Sequence, residues 1–345
     1  MTKDQFKLLQ AAARGEAQTP PVALIVDSPW IPGFVGISAM EFFVEPNKWL
    51  RANLQIVEQF PDVIFVSGFW VEYGMAVEPS AFGCKVSWWK DSPPSVSHML
   101  EDISDVRSLK VPQPANDGLM PFVLHLEKWA QKQIAPLGYS IRIVSARGPL
   151  ALATHLRGVT EFLTDIKIEP DDSHRLLDIC TETVIRWLRA QAENLPDVEG
   201  ILVLDDIPGL LSPADYEEFA HPYLARIFDA FPGMLKLHHN DANIEPFAER
   251  MAELDFDILN FSHSIDIGDL HKRIGDKVTL MGNVPPLQTL VQGTPEEVTA
   301  SAENCLNSAN GRLILSAGGG TSPGTPAENI DALVQAVKAW ERRMA

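Results

Sequence analysis

The sequence predicts an α/β protein folded as a single (β/α)8 TIM barrel. Eight short runs rich in valine, isoleucine and leucine alternate with helical segments, and a polar residue follows most of these runs. Strands of a parallel sheet are buried on both faces, so they read as continuous apolar runs of this kind. Eight such units favour a closed barrel over an open sheet. We assign all 345 residues to one domain and residues 1–20 to an N-terminal helical extension.

The positions of the elements follow from changes in apolar periodicity along the chain. Strands are predicted at residues 22–26, 62–66, 140–144, 200–204, 234–239, 257–261, 278–281 and 312–315. The main helices are predicted at residues 46–60, 119–133, 171–194, 212–231, 244–254 and 294–306, with a last helix starting at Thr325. Ser212-Pro213 places a capping residue and a first-turn proline where a helix begins. Residues 73–89 are aromatic and β-rich, which predicts a hairpin outside the barrel.

Charge and apolar content exclude several classes of function. The chain has 28 basic and 46 acidic residues, a net charge of −18, and such a surface repels nucleic acid. We expect no membrane association, because no apolar run reaches the roughly 18–20 residues that cross a bilayer and the N-terminus lacks the apolar core of a secretory signal. Three scattered cysteines favour a reducing, cytoplasmic location. A cationic site for an acidic small molecule stays open around Arg142, Arg147 and Arg157.

The most informative stretch is MLKLHHNDANIEPF, residues 234–247, in which a short strand leads into two histidines and then Asp241 and Asn243. Imidazole and carboxylate groups at the end of a strand are suited to hold a metal ion or a reacting group. The alternative is a histidine hydrogen-bonded in a polar core, with Asp241 or Asn243 capping the next helix. We favour the functional interpretation for His239 and Asp241, because comparable polar residues end the other predicted strands.

In a (β/α)8 barrel the loops that follow the strands converge on one face, where ligands bind. The residues expected there are Asp27, Ser67, Ser145 with Arg147, Asp205 with Asp206, His239 with Asp241, Asn260 with His263, Asn283, Ser316 and glycines 318–320. The loop at 28–38 adds Trp30 and Phe34, which either line a pocket mouth or pack the loop onto the core. Structural alternatives remain, since Asp205 and Asp206 could cap a turn and Asn283 could order its loop.

The second half of the chain carries several short motifs in a fixed order. They are Arg147-Gly148-Pro149, Leu211-Ser212-Pro213, His239 with Asn243, Asp257-Ile258-Leu259-Asn260, Leu280-Met281-Gly282-Asn283, Gly293-Thr294-Pro295 and Pro323-Gly324-Thr325-Pro326. Through these motifs the sequence resembles the uroporphyrinogen decarboxylase superfamily, which also contains corrinoid- and coenzyme-dependent methyltransferases. The resemblance is good from residue 140 onward and loose in the first third. It implies the same single barrel that the strand count predicts.

The decarboxylase branch implies a substrate with many carboxylates, bound by arginines in the loop after the first strand. Here that loop reads Asp27-Ser28-Pro29-Trp30-Ile31-Pro32 and has no arginine. The family's aspartate after the second strand is replaced by Ser67 or Gly68, and its tyrosine in the third loop by His155. Its C-terminal histidine falls at Gly319. Loss of the cations removes binding energy and electrostatic stabilisation, so a decarboxylase-type lyase acting on a carboxylated substrate is the second choice.

The methyltransferase branch implies a metal site. Thiol-methylating members hold zinc through a His-x-Cys pair and a distant cysteine. The resemblance places His239 on the histidine, Asp241 on the first cysteine and Gly319 on the second, so a sulfur-rich site is excluded. A site built from His239, Asp241 and Glu218 is compatible with zinc, and Asp205 or Asp206 could complete it.

Family members that demethylate ethers are associated with such carboxylate-and-histidine sites. The expected function is therefore methyl transfer from a small O- or N-methylated donor to the cobalamin of a separate corrinoid protein, with His239, Asp241 and Asp206 as catalytic residues. The expected donor-binding residues are Asp27, Trp30, Phe34, Trp70, Arg147, His155, His263, Asn283 and Gly319. A third interpretation is a non-catalytic barrel that binds a small molecule. A homodimer stays open.

Overall fold

The computed structural model describes residues 1–26 and 30–344, and its centre is a sheet of eight parallel strands. The strands, numbered in chain order, are β1 (Val22–Ile25), β2 (Val63–Val66), β3 (Val86–Ser87), β4 (Ser95–Val96), β5 (Ile143–Arg147), β6 (Gly200–Leu204), β7 (Leu235–Asn240), β8 (Ile258–Phe261), β9 (Thr279–Val284) and β10 (Ile314–Ala317). The large sheet has the order β2-β1-β10-β9-β8-β7-β6-β5. Strands that follow one another around the sheet confirm the predicted (β/α)8 barrel.

The ends of this order, β2 and β5, approach each other through side-chain and backbone contacts. The Ser67 hydroxyl, just after β2, hydrogen-bonds the Ser145 hydroxyl of β5. Met1 and Ser140 exchange two backbone hydrogen bonds of 3.0 Å immediately before β5. The barrel is therefore nearly closed, with these contacts spanning the seam.

Helices surround the sheet. They are α1 (Lys3–Ala13), α2 (Ile31–Val35), α3 (Ala39–Val44), α4 (Pro46–Gln59), α5 (Val77–Ala81), α6 (Met120–Ile134), α7 (Pro149–Arg157), α8 (Val159–Ile168), α9 (Pro170–Asn194), α10 (Pro213–Phe219), α11 (His221–Asp229), α12 (Ala248–Met251), α13 (Ile267–Ile274), α14 (Pro295–Ser308) and α15 (Ala327–Met344). The Ser212 hydroxyl accepts a hydrogen bond from the Asp215 amide, which confirms the predicted cap. The helix predicted at 212–231 is divided at Ala220, because Pro222 has no N–H to continue it. In the described residues, no helix is long and apolar enough to cross a membrane.

Side chains alternate between the lumen of the barrel and the layer beneath the helices. On β7, β8 and β10 the lumen is filled by Leu237, Ile258 and Ile314, all at most 1% exposed. Two positions further along the same strands, the side chains are those of His239, Asn260 and Ser316. The lumen therefore has an apolar floor and a polar upper layer at the carboxyl ends of the strands.

Helix α1 covers the opposite end of the barrel. Its Phe6 and Leu9 are buried in the lumen cluster. The Gln5 side-chain amide donates to the Val63 carbonyl (3.2 Å), and the Thr279 hydroxyl donates to the Ala12 carbonyl (3.2 Å). The predicted N-terminal extension thus covers the floor of the barrel, opposite the carboxyl-end rim.

The predicted hairpin at residues 73–89 is wrong in its bounds. The antiparallel ladder pairs β3 with β4, so its two strands are residues 86–87 and 95–96. Residues 77–81 instead form α5, which includes Glu78, only 4% exposed. The Glu78 carboxylate accepts a hydrogen bond from the Arg147 amide (2.9 Å). This long-range contact holds the segment against the rim, and local β propensity does not reveal it.

Glu127 of α6 gives a first testable prediction. The side chain is 2% exposed, and burial raises its pKa from 4.5 to about 8, opposed by a hydrogen bond from Asn194. Below pH 4.5 this carboxyl group is protonated in both the folded and the unfolded chain, and the free energy of unfolding is at its highest. As the pH rises from 4.5 through about 8, the unfolded chain loses the proton more readily than the folded chain, so the free energy of unfolding falls. Glu127→Gln should therefore stabilise the protein by about 3 kcal/mol at pH 7, with a larger gap at pH 9. Denaturant unfolding at pH 5, 7 and 9 measures this.

The matched control for this prediction is Glu58→Gln, which removes the same charge from an exposed position on α4. We expect this control to leave the pH dependence of unfolding unchanged. A pH dependence in Glu127→Gln as steep as that of the parent chain would contradict the assignment of Glu127.

Candidate active site at the barrel rim

Three side chains meet where β6 and β7 end. They are Asp206, His239 and Asp241, and one ligand atom from each lies within 4.8 Å of the others. The His239 Nε2 atom is 3.6 Å from the Asp206 carboxylate. The Asp241 amide donates a hydrogen bond to the same carboxylate (2.9 Å). The structure thus brings the residues predicted at the ends of β6 and β7 into one cluster.

Asn260 determines which nitrogen of His239 carries the proton. His239 and Asn260 are neighbours across β7 and β8, and the His239 Nδ1 atom is 2.7 Å from the Asn260 Oδ1 atom. The Asn260 Nδ2 group donates to the carbonyls of Met281 (2.8 Å) and Ala317 (3.1 Å). The Asn260 oxygen must therefore accept, and Nδ1 of His239 is the donor. This tautomer leaves the lone pair on Nε2, which faces Asp206.

The two adjacent aspartates at the end of β6 have different roles. Asp205 is fully buried, and its carboxylate accepts from the amides of Leu150 (2.9 Å) and Ala151 (3.0 Å) at the N-terminus of α7. Burial nevertheless raises the pKa of Asp205 to about 8. Asp206 is 43% exposed and faces His239. Asp205 therefore has a structural role, at the N-terminus of α7 and not only in the turn that follows β6, while Asp206 belongs to the rim cluster.

The pKa of Asp241 is raised by partial desolvation and by the nearby Asp206 carboxylate. His239 and His263 oppose this shift. Two carboxylates placed this close repel each other unless a proton or a cation lies between them. One imidazole nitrogen and two carboxylate oxygens are a ligand set that zinc accepts, with room for water or substrate.

Glu218 does not join this cluster, and its assignment as a ligand is corrected by the structure. It lies on the solvent face of α10, where its carboxylate is 58% exposed and 3.5 Å from the His174 Nε2 atom. Helical periodicity turns this position away from the rim. Asp206, assigned at the sequence level as catalytic, supplies the second carboxylate instead.

A second polar cluster lies at the rim beside β5. The Arg147 guanidinium is 3.5 Å from the Glu72 carboxylate and 5.5 Å from the centre of the Trp70 ring. Burial, and then the charges of Arg147 and His98, lower the pKa of His155 to about 4, so its imidazole is neutral. Trp70 and Arg147 thus line a narrow space beside β5, and His155 is near enough for its pKa to be affected by the Arg147 charge.

The cationic site that the sequence left open around three arginines is not formed by the residues that the structure describes. Arg142 pairs with Glu199, Arg157 with Asp165, and Arg147 with Glu72. Each guanidinium therefore has a carboxylate partner of its own. These arginines therefore do not provide a site for an acidic small molecule.

Three other residues that were expected to bind the donor instead pack or hydrogen-bond within the protein interior. Trp30 is 1% exposed, its Nε1 donates to the Thr325 carbonyl (3.1 Å), and its ring packs 4.7 Å from that of Phe34. Both aromatic residues therefore pack the loop onto the core and do not form a pocket wall. Asn283 is also structural, because its amide donates to the Ile265 carbonyl (2.7 Å) and orders the loop after β8. Asp27 lies outside the described residues.

His263 and Gly319 lie next to Asp241. His263 is exposed and contributes to the electrostatic environment of Asp241. A Cβ atom added to Gly319 would be 3.0 Å from the Asp241 carboxylate, and the Gly319 φ angle is +121°. Sequence reasoning missed the positioning role of Asn260 and the residue Thr321. The alternation of side chains along a strand could have pointed to Asn260, because Asn260 lies two residues after Ile258 and so faces the same, inward side of β8.

The fold and the rim cluster define a (β/α)8 barrel whose open face carries one histidine and two carboxylates as a candidate active site. The family profile described as uroporphyrinogen decarboxylase (URO-D) matches residues 4–340. The chain belongs to the uroporphyrinogen decarboxylase family, which confirms the resemblance seen in the motifs.

Curated relatives are named uroporphyrinogen decarboxylase. The protein from Synechococcus sp. (strain CC9605) is 35% identical over 187 residues, covering 51% of this chain and 50% of that protein. The protein from Dechloromonas aromatica (strain RCB) is 29% identical over 285 residues, covering 76% of each. The chain therefore spans about half the length of the first relative and about three quarters of the second.

Solved structures add a second kind of relative. A methyltransferase from Methanosarcina mazei superposes with a TM-score of 0.84 at 25% identity, covering 97% of this chain and 98% of that one. A B12-independent methionine synthase from Shewanella sp. W3-18-1 has a TM-score of 0.57 at 12% identity, covering 94% and 99%, which shows the fold alone. The superfamily thus includes both decarboxylases and methyltransferases, and its members are enzymes.

Proposed function

We propose that this protein transfers a methyl group from a small O- or N-methylated donor to the cobalamin of a separate corrinoid protein. The observation that carries the proposal is the cluster of Asp206, His239 and Asp241 at the open rim. A hard nitrogen-and-oxygen ligand set suits activation of an ether or amine leaving group. The similarity to a methyltransferase over nearly the whole chain supports the same reaction class.

The reaction requires that the leaving group be stabilised. The bond between the methyl carbon and the donor oxygen or nitrogen breaks, its electron pair stays on that heteroatom, and the Co(I) of the partner supplies the pair for the new carbon–cobalt bond. A zinc ion held by Asp206, His239 and Asp241 would act as a Lewis acid towards the departing heteroatom. The chain's own residues hold this geometry: Asn260 orients the His239 ring, and the Asp241 amide orients the Asp206 carboxylate.

Decarboxylation is the second candidate, because the curated relatives carry that name. A substrate with many carboxylates requires cations that are free to bind it. Arg142, Arg147 and Arg157 are each paired with a glutamate or an aspartate, and residues 27–32 contain no arginine. The rim cluster itself is acidic. These charges favour methyl transfer over decarboxylation of a polycarboxylate.

Metal analysis and a methyl-transfer assay test the proposal. We expect the purified full-length chain to hold about one zinc ion per chain, and to form methylcobalamin from free cob(I)alamin with 2-methoxyphenol or trimethylamine as donor. The absorbance spectrum of cobalamin reports the product. Absence of methylcobalamin with both donors, together with release of CO2 from uroporphyrinogen, would reverse the order of the two candidates.

A further inference from the structure

A cleft of about 400 Å³ opens on the side of Asp241 away from the Arg147 cluster, above the ends of β8, β9 and β10. It is lined by Asp241, Ser262, His263, Pro286, Leu287, Gly318, Gly320, Thr321, Ser322 and Pro323. Small-molecule sites range from roughly 300 to 1,000 Å³, so this cleft is of a size for a compact ligand. Asp241 belongs to both the cleft and the rim cluster, which places any occupant beside the candidate reaction centre.

Three consecutive glycines keep this space free. A Cβ atom on Gly318 would lie 2.5 Å from the His263 amide nitrogen, and one on Gly319 would lie 3.0 Å from the Asp241 carboxylate. Side chains at these two positions would therefore displace the His263 loop or Asp241. A Cβ atom on Gly320 would meet no atom of the described residues within 4 Å. Since Gly320 lines the cleft, a large side chain at this position has room to occupy it without displacing neighbouring atoms.

The cleft contains a buried polar group that the described residues do not satisfy. Thr321 is 3% exposed, and its hydroxyl has no hydrogen-bond partner among residues 1–26 and 30–344. The Thr321 amide donates to the Ile25 carbonyl (2.9 Å), so the residue is fixed in place. A buried hydroxyl without a partner is unfavourable. A ligand that hydrogen-bonds to this hydroxyl would remove that penalty.

The charge and shape of the lining restrict what can bind. The described lining residues include Asp241 and His263 but no lysine or arginine. Pro286, Leu287 and Pro323 provide aliphatic walls, and Leu287 is 52% exposed at the mouth. An anionic ligand would lie beside the Asp241 carboxylate and would find no basic side chain among the described lining residues to pair with, whereas an uncharged or cationic ligand needs no such partner.

We propose that this cleft binds the methyl donor, and that the donor is a compact uncharged or cationic molecule that hydrogen-bonds to Thr321. The assignment rests on the proposed methyl transfer for the identity of the occupant. The location of the site rests on the cleft, the glycines and the Thr321 hydroxyl.

Titration calorimetry on the full chain with three matched probes tests the charge preference. The probes are 4-methoxybenzamide, 4-methoxybenzylamine and 4-methoxybenzoate, which share a size and a methyl ether but differ in charge. We expect the uncharged and cationic probes to bind, and the anionic probe to bind at least about tenfold more weakly. Binding of the benzoate as tight as that of the benzamide, or no binding by any probe, would overturn the proposal.

Two variants test the location. Gly320→Leu should abolish binding of the benzamide by filling the cleft, whereas Ala214→Leu, which adds the same side chain at an exposed position on α10, should not. Thr321→Val should weaken binding about fivefold, and should leave the thermal midpoint of the free protein unchanged or raised, because a buried unpaired hydroxyl is removed. Unchanged affinity in both cleft variants would place the ligand elsewhere.

The same variants separate this inference from the proposed function. If cobalamin is never methylated but probe binding follows the expected pattern, the cleft is a ligand site and the proposed reaction is wrong. If Gly320→Leu methylates cobalamin at the parental rate, the reaction stands and the donor site is wrong.

Discussion

Replacing His239 and Asp241 together by alanine should abolish methyl transfer, with a loss of at least about a thousandfold in kcat/KM. The double variant removes two of the three groups in the rim cluster and leaves Asp206 alone. A single carboxylate neither holds a zinc ion nor polarises a leaving group from two sides. The initial rate of methylcobalamin formation, measured over a series of donor concentrations, reports the loss in kcat/KM.

The barrel should survive this double substitution. Asp241 is exposed, so its removal costs little, whereas loss of the His239 imidazole leaves the Asn260 oxygen unpaired at a cost of roughly 1–3 kcal/mol. The matched control is His125→Ala with Asp331→Ala, two exposed positions on α6 and α15. We expect parental activity from this control. Substantial activity in the His239 and Asp241 double variant would refute their roles.

The fold was predictable because parallel strands and amphipathic helices leave strong local patterns. Predicted strand bounds agree with β6, β8 and β1 to within a residue or two. Strand β5 was predicted three residues too early, at 140–144, whereas it spans Ile143–Arg147. Ser140 instead contacts Met1 across the barrel seam. A contact between residues so distant in sequence leaves no local signal, so the periodicity alone could not position this strand.

The rim cluster was predictable in part for the same reason. His239 and Asp241 are two residues apart at one strand end, and Asp206 ends the neighbouring strand. Barrel topology alone brings these positions together. The orientation of a helix face is harder to predict, and this explains the error at Glu218. Trp30 is a similar case, because its burial depends on the Thr325 carbonyl, almost 300 positions later in the sequence.

The role of Asn260 is not visible in the sequence, because it depends on three hydrogen bonds that its side-chain amide makes with three other strands. Two donations to carbonyls orient the amide, and this orientation leaves its oxygen to accept from His239. The tautomer of His239 on β7 is therefore set by Asn260 on the neighbouring strand β8. Residues of this kind lie behind metal ligands in many proteins and affect metal affinity without touching the metal.

Asn260→Leu should weaken zinc binding about 10- to 100-fold, while Asn260→Asp should bind zinc at least as well as Asn260. Leucine has a similar size but offers no acceptor, so the proton on Nδ1 of His239 is no longer favoured. Aspartate retains an acceptor for that proton and loses the two donations to the carbonyls of Met281 and Ala317. Competition titration with a zinc chelator measures the affinity of each variant.

The comparison separates positioning of His239 from general support of the fold. If Asn260 acted only through packing and its two donated bonds, both variants would lose zinc affinity to the same extent. If it acts through its oxygen, only the leucine variant loses affinity. Nitrogen-15 NMR of the metal-free protein gives an independent readout, because the His239 ring should carry its proton on Nδ1 in the parent and the aspartate variant. A proton on Nε2 in the parent protein would contradict the tautomer and with it the orientation of the lone pair towards Asp206.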